Sequence, residues 1–410
     1  MEMERKRDER ETTEKENEQA LSHLKILISL SFPLSNTHSL TVVLACRSIS
    51  KGAALKRELI EEAQAAAAAA RRRNDNSSSS TSTSASSTTL ASAAFTPSLE
   101  VRQLDVADLD SVRSFLDSWG DRPLHVLVNN AGIFTMGSNK RETTKRDGLE
   151  SHLATNHLGH FLLTVRLLPC LAEGASSPAA AACASNGSNK KTFFPSRVVS
   201  VSSALHAFAD GRALAADPQL FVRGYSATAA YANSKLAQVM FTAELRRRIG
   251  TSGKVSEQGG GGGGAGGGAT ATANAAATAE AARRNSSASS SSSASTPPPP
   301  IVAVAVHPGE VLTDVVRSLP APIVKLYRML MSTLLLTPQE GARAAVFAAT
   351  ASCSSSLGNE NGGSDLLASA WNPAKCYLFP DCKPHPPAPS VLDPVLCRWL
   401  WGFSAAKVGL

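Results

Sequence analysis

The chain has 410 residues, a net charge of +7 and seven cysteines. Its basic residues are scattered and form no stripe interleaved with aromatic residues, so nucleic acid is not expected as a partner. The odd number of cysteines and the lack of CxxC pairs favour a reducing compartment and indicate no metal site. The N-terminal segment has the design of neither a signal peptide nor a transit peptide, so a cytoplasmic location is expected. An organelle or a membrane-associated location stays open.

Strand-like and helix-like segments alternate along the chain. Apolar runs typical of buried strands occur at 24–32, 39–48, 99–108, 124–134, 196–206 and 301–315. Helical patterns occur at 51–70, 109–120, 148–172, 229–248 and 393–403, and the second half of 318–349 is also helical. This alternation predicts an α/β fold with a Rossmann-like, doubly wound parallel sheet.

Polar clusters stand at the end of nearly every predicted strand. They are Arg47, Asp105, Asn129–Gly132, Ser202–Ser203 and Pro308–Gly309. In a doubly wound sheet the ligand binds beyond the carboxyl ends of the strands. The clusters therefore predict a nucleotide-sized ligand at that edge.

Tyr231 and Lys235 are four positions apart in a predicted helix, so they lie one turn apart on the same side. An ammonium group beside a phenol stabilises the phenolate and lowers the pKa of the phenol. Such a tyrosine can exchange a proton with a substrate oxygen. On its own the pair is better explained as a surface pair on an amphipathic helix, and its chemical meaning depends on the surrounding sequence.

Seven short motifs, in this order, resemble the short-chain dehydrogenase/reductase family, and within it the branch of retinol dehydrogenases and WW-domain oxidoreductases. They are LACRS at 44–48, LDV at 104–106, NNAG at 129–132, TNHLGHFLLT at 155–164, VVSVSS at 198–203, YANSK at 231–235 and HPGEVLT at 307–313. The resemblance implies an NAD(P)-dependent oxidoreductase acting on CH–OH groups. It covers one domain at 39–403, with a non-matching segment at 1–38. Low-complexity insertions, expected to be disordered, interrupt the domain at about 63–94, 174–195 and 251–300.

The resemblance implies roles for individual residues. Tyr231 would be the acid/base, Lys235 would lower its pKa and bind the nicotinamide ribose, and Ser203 would donate to the developing oxyanion. Asn156 would hold the helix and the water that relays protons to Lys235. His157 and His160 are interpreted as packing residues, and Ser202 as a turn serine. The implied cofactor contacts are Arg47, Asp105, Asn129, Ala131, Gly132, Tyr231, Lys235, Pro308, Gly309, Val311 and Thr313.

Arg47 ends the second predicted strand, where an acid would bind the ribose 2′-hydroxyl and an arginine suits a 2′-phosphate. NADP(H) is therefore favoured as the cofactor, with NAD(H) as the alternative. The alternative explanation is that Arg47 is a surface residue in contact with water and binds no phosphate.

The sequence departs from the family at its first strand. The glycine-rich turn that brings backbone N–H groups to the pyrophosphate should precede residue 39, but residues 24–38 contain no glycine. The segment LKILISL fits the missing strand's slot, but a linker too short for a helix follows it. Either this end of the sequence differs from that of a complete enzyme, or the chain binds its cofactor poorly. The retained catalytic residues favour the first explanation, and we expect the chain as written to bind NADP(H) weakly.

The apolar stretch 318–336 suggests a hydrophobic substrate such as a retinoid, a steroid or a lipid-derived carbonyl. Its apolar positions are equally explained as core or as a surface for peripheral membrane contact. Homodimerisation is a further expectation from the family. The alternative function is a non-catalytic binding or scaffold protein on the same fold.

Overall fold

The computed structural model describes residues 25–31, 39–77, 98–135, 139–176, 192–193, 195–222, 224–251, 301–309, 336–351, 353–354 and 375–410. Its main sheet has seven strands in the order β3-β2-β1-β4-β6-β7-β9. These strands are β1 (Lys25–Ser31), β2 (Ser39–Cys46), β3 (Ser98–Gln103), β4 (Val126–Asn129), β6 (Arg197–Val201), β7 (Val302–Val306) and β9 (Tyr377–Leu378). Two short strands, β5 (Thr192–Phe193) and β8 (Cys353–Ser354), pair separately.

Helices connect the strands and cover both faces of the sheet. They are α1 (Ile49–Ser77), α2 (Leu109–Trp119), α3 (Ser151–Ser176), α4 (Gly211–Ala216), α5 (Ala227–Thr251), α6 (Pro338–Thr350), α7 (Pro389–Leu392) and α8 (Pro394–Val408). Helix α3 is interrupted by a π-helical turn at Ala154–Leu158. A 3₁₀ turn, Ala204–Phe208, follows β6. The predicted doubly wound α/β fold is confirmed.

Alternate residues of β4, β6 and β7 enter opposite hydrophobic layers, because side chains alternate across a strand. Leu127, Val198 and Ala303 belong to the larger layer, which α2, α3, α5 and α8 complete. Val128 and Val199 belong to the layer covered by α6. Burial on both faces explains why these strands read as continuous apolar runs in the sequence.

Strand β1 is the exception to the parallel sheet. It lies in the central slot, as the segment LKILISL suggested, but it runs antiparallel to both β2 and β4. Lys25 pairs with Ala45, and Ser31 pairs with Ser39. The link at 32–38 is long enough for a hairpin and too short for a helical crossover, so the antiparallel direction follows from chain length.

Helix α1 continues to Ser77, beyond residue 63 where the sequence predicted the first insertion to begin. The reason is the alanine run, since alanine has the highest helix propensity of all residues. At the other end of the chain, α8 runs to Val408, past the predicted boundary at 403. The apolar positions proposed for the substrate region at 319–335 lie outside the described residues. Val311 and Thr313 also lie outside them.

Helix α8 lies across α3 and α5. The Trp401 ring packs 5.1 Å from the ring of Phe161 and 5.7 Å from that of Phe241. The Arg248 guanidinium stacks on Trp401 at 4.1 Å, and Ser404 Oγ lies 2.7 Å from His157 Nε2. The C-terminal helix is thereby part of the domain core.

Among the described residues, one helix, Ser151–Ser176, is long and apolar enough to cross a membrane. However, 67% of its apolar window is buried inside the protein. The helix packs between the sheet and α8, so its hydrophobicity is explained by its place in the core.

Candidate active site

Tyr231 and Lys235 lie together on α5, as their spacing predicted. Lys235 Nζ is 5.5 Å from the centre of the Tyr231 ring and donates a hydrogen bond to Val201 O at 2.8 Å. Lys235 is only 4% exposed, and burial lowers its pKa to about 7. Both the ammonium and the amine form are therefore present near neutral pH.

The two serines after β6 have different roles in the structure. Ser202 is buried, and its hydroxyl donates to Lys235 O at 3.0 Å, which ties the end of β6 to α5. Ser203 is partly exposed and caps the 3₁₀ turn, since its Oγ accepts from Leu205 N at 3.2 Å. The Ser203 hydroxyl proton is free to point elsewhere, because the cap uses only an oxygen lone pair. This geometry suits the donor role predicted for Ser203 and the structural role predicted for Ser202.

Asn156 lies at the centre of the π-helical turn and is fully buried. Its side-chain amide bonds the backbone of Ile133 twice: Oδ1 accepts from Ile133 N at 2.8 Å, and Nδ2 donates to Ile133 O at 3.1 Å. Nδ2 also lies 2.9 Å from Ser234 Oγ, which donates to Tyr231 O at 2.7 Å. Asn156 therefore joins the turn after β4 to the tyrosine helix. Single π turns inside α-helices often mark functional sites.

Gly132 completes this cluster. A Cβ atom at Gly132 would lie 3.3 Å from Asn156 Oδ1 and 3.5 Å from Lys235 Nζ. The missing side chain leaves the backbone open beside the lysine, as the approach of a ribose would require. Gly132, Asn156, Tyr231 and Lys235 thus form one site, and they fit the nicotinamide–ribose half of the proposed cofactor.

Four further predicted cofactor residues lie at the carboxyl edge of the sheet. Arg47 is exposed just after β2, and Asp105 follows β3 with its carboxylate accepting from Ala107 N at 3.0 Å. Pro308 and Gly309 follow β7, and Gly309 has a φ of +86° that favours glycine.

Two residues of the NNAG turn are buried. Ala131 is 5% exposed and Asn129 is 2% exposed. The Asn129 amide donates to Thr164 Oγ1 at 2.9 Å, so its side chain ties β4 to α3. The Asn129 Nδ2 thus holds the helix against the strand, whereas its buried Oδ1 has no hydrogen-bond partner among the described residues, and the predicted cofactor contact stays a prediction.

The described residues contain no site that matches the phosphate half of a dinucleotide. In this fold the pyrophosphate binds at a glycine-rich turn between the first strand and the helix that follows it. Here β1 presents its first residue, Lys25, at the carboxyl edge beside Ala45, and a second strand rather than a helix follows it. The described residues therefore bring together the side chains predicted for the ring half of a dinucleotide, and they contain no glycine-rich turn between β1 and a following helix.

Sequence reasoning missed several side chains around the tyrosine. The Phe134 ring stacks on the Tyr231 ring, with 4.3 Å between centroids and 21° between planes. The His152 ring meets Tyr231 edge-on at 6.5 Å. His152 is four positions before Asn156, and this helical spacing is the signal that the sequence offered.

The histidines interpreted as packing residues lie inside the helix bundle. His157 is buried between Phe161 and Phe241, and burial lowers its pKa to about 3. His160 Nδ1 lies 3.1 Å from the backbone oxygen of Asn156. His160 thus contacts the main chain of the π turn.

The sequence model of the short chain dehydrogenase family matches residues 52–208. The match includes Asp105, Gly132, Asn156 and Ser203, and it begins after the place where the glycine-rich turn was expected.

Curated relatives extend the similarity over the rest of the domain. "Dehydrogenase/reductase SDR family member FEY" of Arabidopsis thaliana is 27% identical, covering 76% of this chain and 64% of that protein. Human "Retinol dehydrogenase 12" is 29% identical over 76% of this chain and 70% of its own. Human "Polyprenol dehydrogenase" is 40% identical over 38% of this chain and 41% of its own. The chain spans about two thirds of the length of the first two relatives.

The family match, the relatives and the clustering of Gly132, Asn156, Tyr231 and Lys235 agree with the seven motifs. Over residues 52–208 this chain is similar to the short-chain dehydrogenase/reductase family, and the relatives extend that similarity to 76% of its length.

Proposed function

We propose that this protein is an oxidoreductase that moves a hydride between NADP(H) and a hydrophobic alcohol or carbonyl compound, with Tyr231 as the acid/base. One observation carries the proposal: a buried lysine lies beside a partly exposed tyrosine on one side of α5. A buried cation in such a place is costly unless it serves a purpose.

Each residue of the site has a defined task. Tyr231 gives a proton to the substrate oxygen in reduction and removes it in oxidation. Lys235, in its ammonium form, stabilises the phenolate, and its bond to Val201 O fixes its position. Ser203 donates a hydrogen bond to the substrate oxygen. Asn156 holds the turn after β4 against the tyrosine helix. NADP(H), when bound, supplies or accepts the hydride.

The choice of substrate rests on two observations. Two relatives carry names that point to long apolar alcohols, retinol and polyprenol. In this chain the Phe134 ring lies flat against Tyr231 and provides an apolar wall next to the acid/base. The preference for NADP(H) rests on the exposed Arg47 at the end of β2.

A second function is supported by the antiparallel β1. A chain that lacks the pyrophosphate turn could use the same fold as a non-catalytic binding or scaffold protein. The intact cluster around Tyr231 favours the enzyme. Homodimerisation, peripheral membrane contact and a cytoplasmic location stay predictions.

The test measures the consumption of NADPH by its absorbance. The nucleotide is present at millimolar concentration, and the substrates are a panel of apolar aldehydes and ketones. We expect turnover by the wild type and a loss of about 100- to 10,000-fold in Tyr231→Phe, which keeps the ring stacked on Phe134. Ser203→Ala should lose about 100- to 1,000-fold in kcat. The matched control Ser202→Ala should keep kcat within a few-fold and unfold more easily by about 1 kcal/mol.

Two results would contradict the proposal. A wild type with no turnover on any member of the panel would favour the scaffold function. Equal turnover in the wild type and Tyr231→Phe would remove Tyr231 from the chemistry.

A further inference from the structure

A cluster of two buried residues, Glu150 and His152, and the partly exposed Tyr225 lies next to the proposed active site and has no place in its chemistry so far. Glu150 and His152 are each 1% exposed. Glu150 Oε1 lies 2.8 Å from His152 Nδ1 and accepts from Tyr225 Oη at 3.1 Å. Glu150 also caps α3, since its carboxylate accepts from the backbone N–H groups of His152 and Leu153.

The carboxylate determines which nitrogen of His152 carries the proton. Burial opposes ionisation of Glu150, but hydrogen bonds from His152 and from backbone N–H groups hold its pKa below the ordinary value. An ionised carboxylate only accepts, so His152 Nδ1 donates to it, and Nε2 accepts from the backbone N–H of Thr135 through its lone pair. That lone pair faces Thr135, whose backbone N lies 3.2 Å away and whose Oγ1 lies 3.3 Å away.

His152 and Asn156 then hold the same short segment from one helix. Asn156 bonds the backbone of Ile133, and His152 accepts from the backbone N–H of Thr135. Phe134 lies between these two fixed points, and its ring stacks on Tyr231 at 4.3 Å. Because the two helix residues are one turn apart, they match a segment of three extended residues.

We propose that His152 is a positioning residue that, together with Asn156, fixes Ile133–Thr135 so that Phe134 stays stacked on the acid/base Tyr231. Glu150 keeps His152 in the accepting tautomer. The loss of this contact frees the Phe134 ring and widens the wall next to the tyrosine, which weakens the placement of an apolar substrate. The catalytic consequence rests on the proposed function, but the positioning itself does not.

The test uses two substitutions, each of which keeps a polar atom near one of the two nitrogen positions of the imidazole. His152→Asn places an amide near the Nδ1 position and removes the acceptor for Thr135, whereas His152→Gln places an amide oxygen near the Nε2 position. Ser404→Ala is the matched control, because it removes a buried hydrogen bond from His157 on the same helix, away from the tyrosine. Backbone hydrogen exchange of residues 131–135 is measured by mass spectrometry on the full chain. It reports how firmly His152 and Asn156 hold this segment, and it does not require turnover.

We expect His152→Asn to speed exchange in this segment about two- to tenfold, the effect of losing one ordinary hydrogen bond. His152→Gln and Ser404→Ala should exchange there as the wild type does. In the NADPH assay, His152→Asn should lower kcat/KM for apolar carbonyls, and should add little when Phe134→Ala is already present, since both changes act through one ring.

Unchanged exchange in folded His152→Asn would overturn the proposal, as would equally fast exchange in His152→Gln. Nitrogen chemical shifts of His152 in the wild type provide a second measurement that needs no variant. A proton on Nδ1 is expected, and a proton on Nε2 would overturn the proposal because the Thr135 N–H could not donate to it. A wild type without turnover that still shows the expected exchange pattern would refute the proposed function and leave the positioning role supported.

Discussion

Lys235 shows what a spacing in the sequence can predict about a single residue. Its separation from Tyr231 predicted that the two side chains share one side of a helix, and the 5.5 Å distance agrees with this. Its burial and its bond to Val201 O could not be predicted, because they depend on the end of a strand 34 positions earlier. Phe134 and His152 were missed for the same reason, since their contacts to Tyr231 join segments far apart in the sequence.

The lowered pKa of Lys235 makes stability depend on pH. In the unfolded chain lysine has a pKa of about 10.5, whereas burial lowers the pKa of folded Lys235 to about 7. Between these values only the unfolded chain holds the proton, so the free energy of unfolding falls as the pH is lowered from about 10.5 to 7. Below about pH 7 both states are protonated, and this contribution stays constant.

Lys235→Met removes this titration. The free energy of unfolding of the variant, minus that of the wild type, should rise as the pH falls through this window, by up to about 1.4 kcal/mol per pH unit. Urea unfolding of both proteins at several pH values from 7 to 10 measures it. The variant also loses the hydrogen bond to Val201 O, which shifts the difference in the free energy of unfolding by the same amount at every pH. The test therefore depends only on the slope of this difference against pH. A difference that does not change with pH would show that Lys235 titrates normally in the fold.

At the scale of elements, the helix carrying Asn156 was predicted in place, but its π turn was not. Hydrophobic periodicity reports which side of a helix is buried and does not reveal a local change in backbone hydrogen bonding. The turn is followed at once by Gly159, where a Cβ would lie 2.0 Å from Val106 O. The approach of α3 to the loop after β3 therefore depends on the absence of a side chain at this position.

Two glycines inside helices should respond in opposite ways to alanine. Gly159→Ala must push α3 away from Val106, so we expect a loss of stability of about 1–3 kcal/mol. Gly402 in α8 is exposed and has no atom within 4 Å of a built Cβ, so Gly402→Ala should stabilise the protein by about 0.5–1 kcal/mol. Thermal unfolding of both variants beside the wild type decides the point. Stabilisation by both substitutions would mean that α3 can move without cost.

At the scale of the whole molecule, alternation of apolar runs and helical patterns was enough to predict the doubly wound sheet and its carboxyl-edge site. The direction of β1 was not predicted, although the short link after it excluded a parallel crossover. The helical pattern at 51–70 predicted α1 through the alanine run, but the extension of this helix to Ser77 was not predicted.

The antiparallel β1 has a measurable effect on cofactor binding. Because the described part of the chain contains no pyrophosphate turn, the ring half of the site must hold the nucleotide alone, and we expect NADPH to bind with a dissociation constant in the millimolar range. Titration followed by nucleotide fluorescence measures it, and Lys235→Ala should abolish the remaining binding. Micromolar affinity of the wild type would contradict this expectation and would require another phosphate site in the chain.

The places where the chain leaves and re-enters the sheet have a further consequence. The low-complexity tracts follow Ser77, Ser176 and Thr251, at the ends of α1, α3 and α5, and precede β3, β5 and β7. In a doubly wound fold such helix-to-strand connections lie at the amino edge of the sheet, opposite the catalytic edge. Insertions and deletions at these junctions therefore leave the catalytic edge unchanged and can accumulate during evolution. A fluorescent label or an affinity handle placed there would likewise leave the tyrosine untouched.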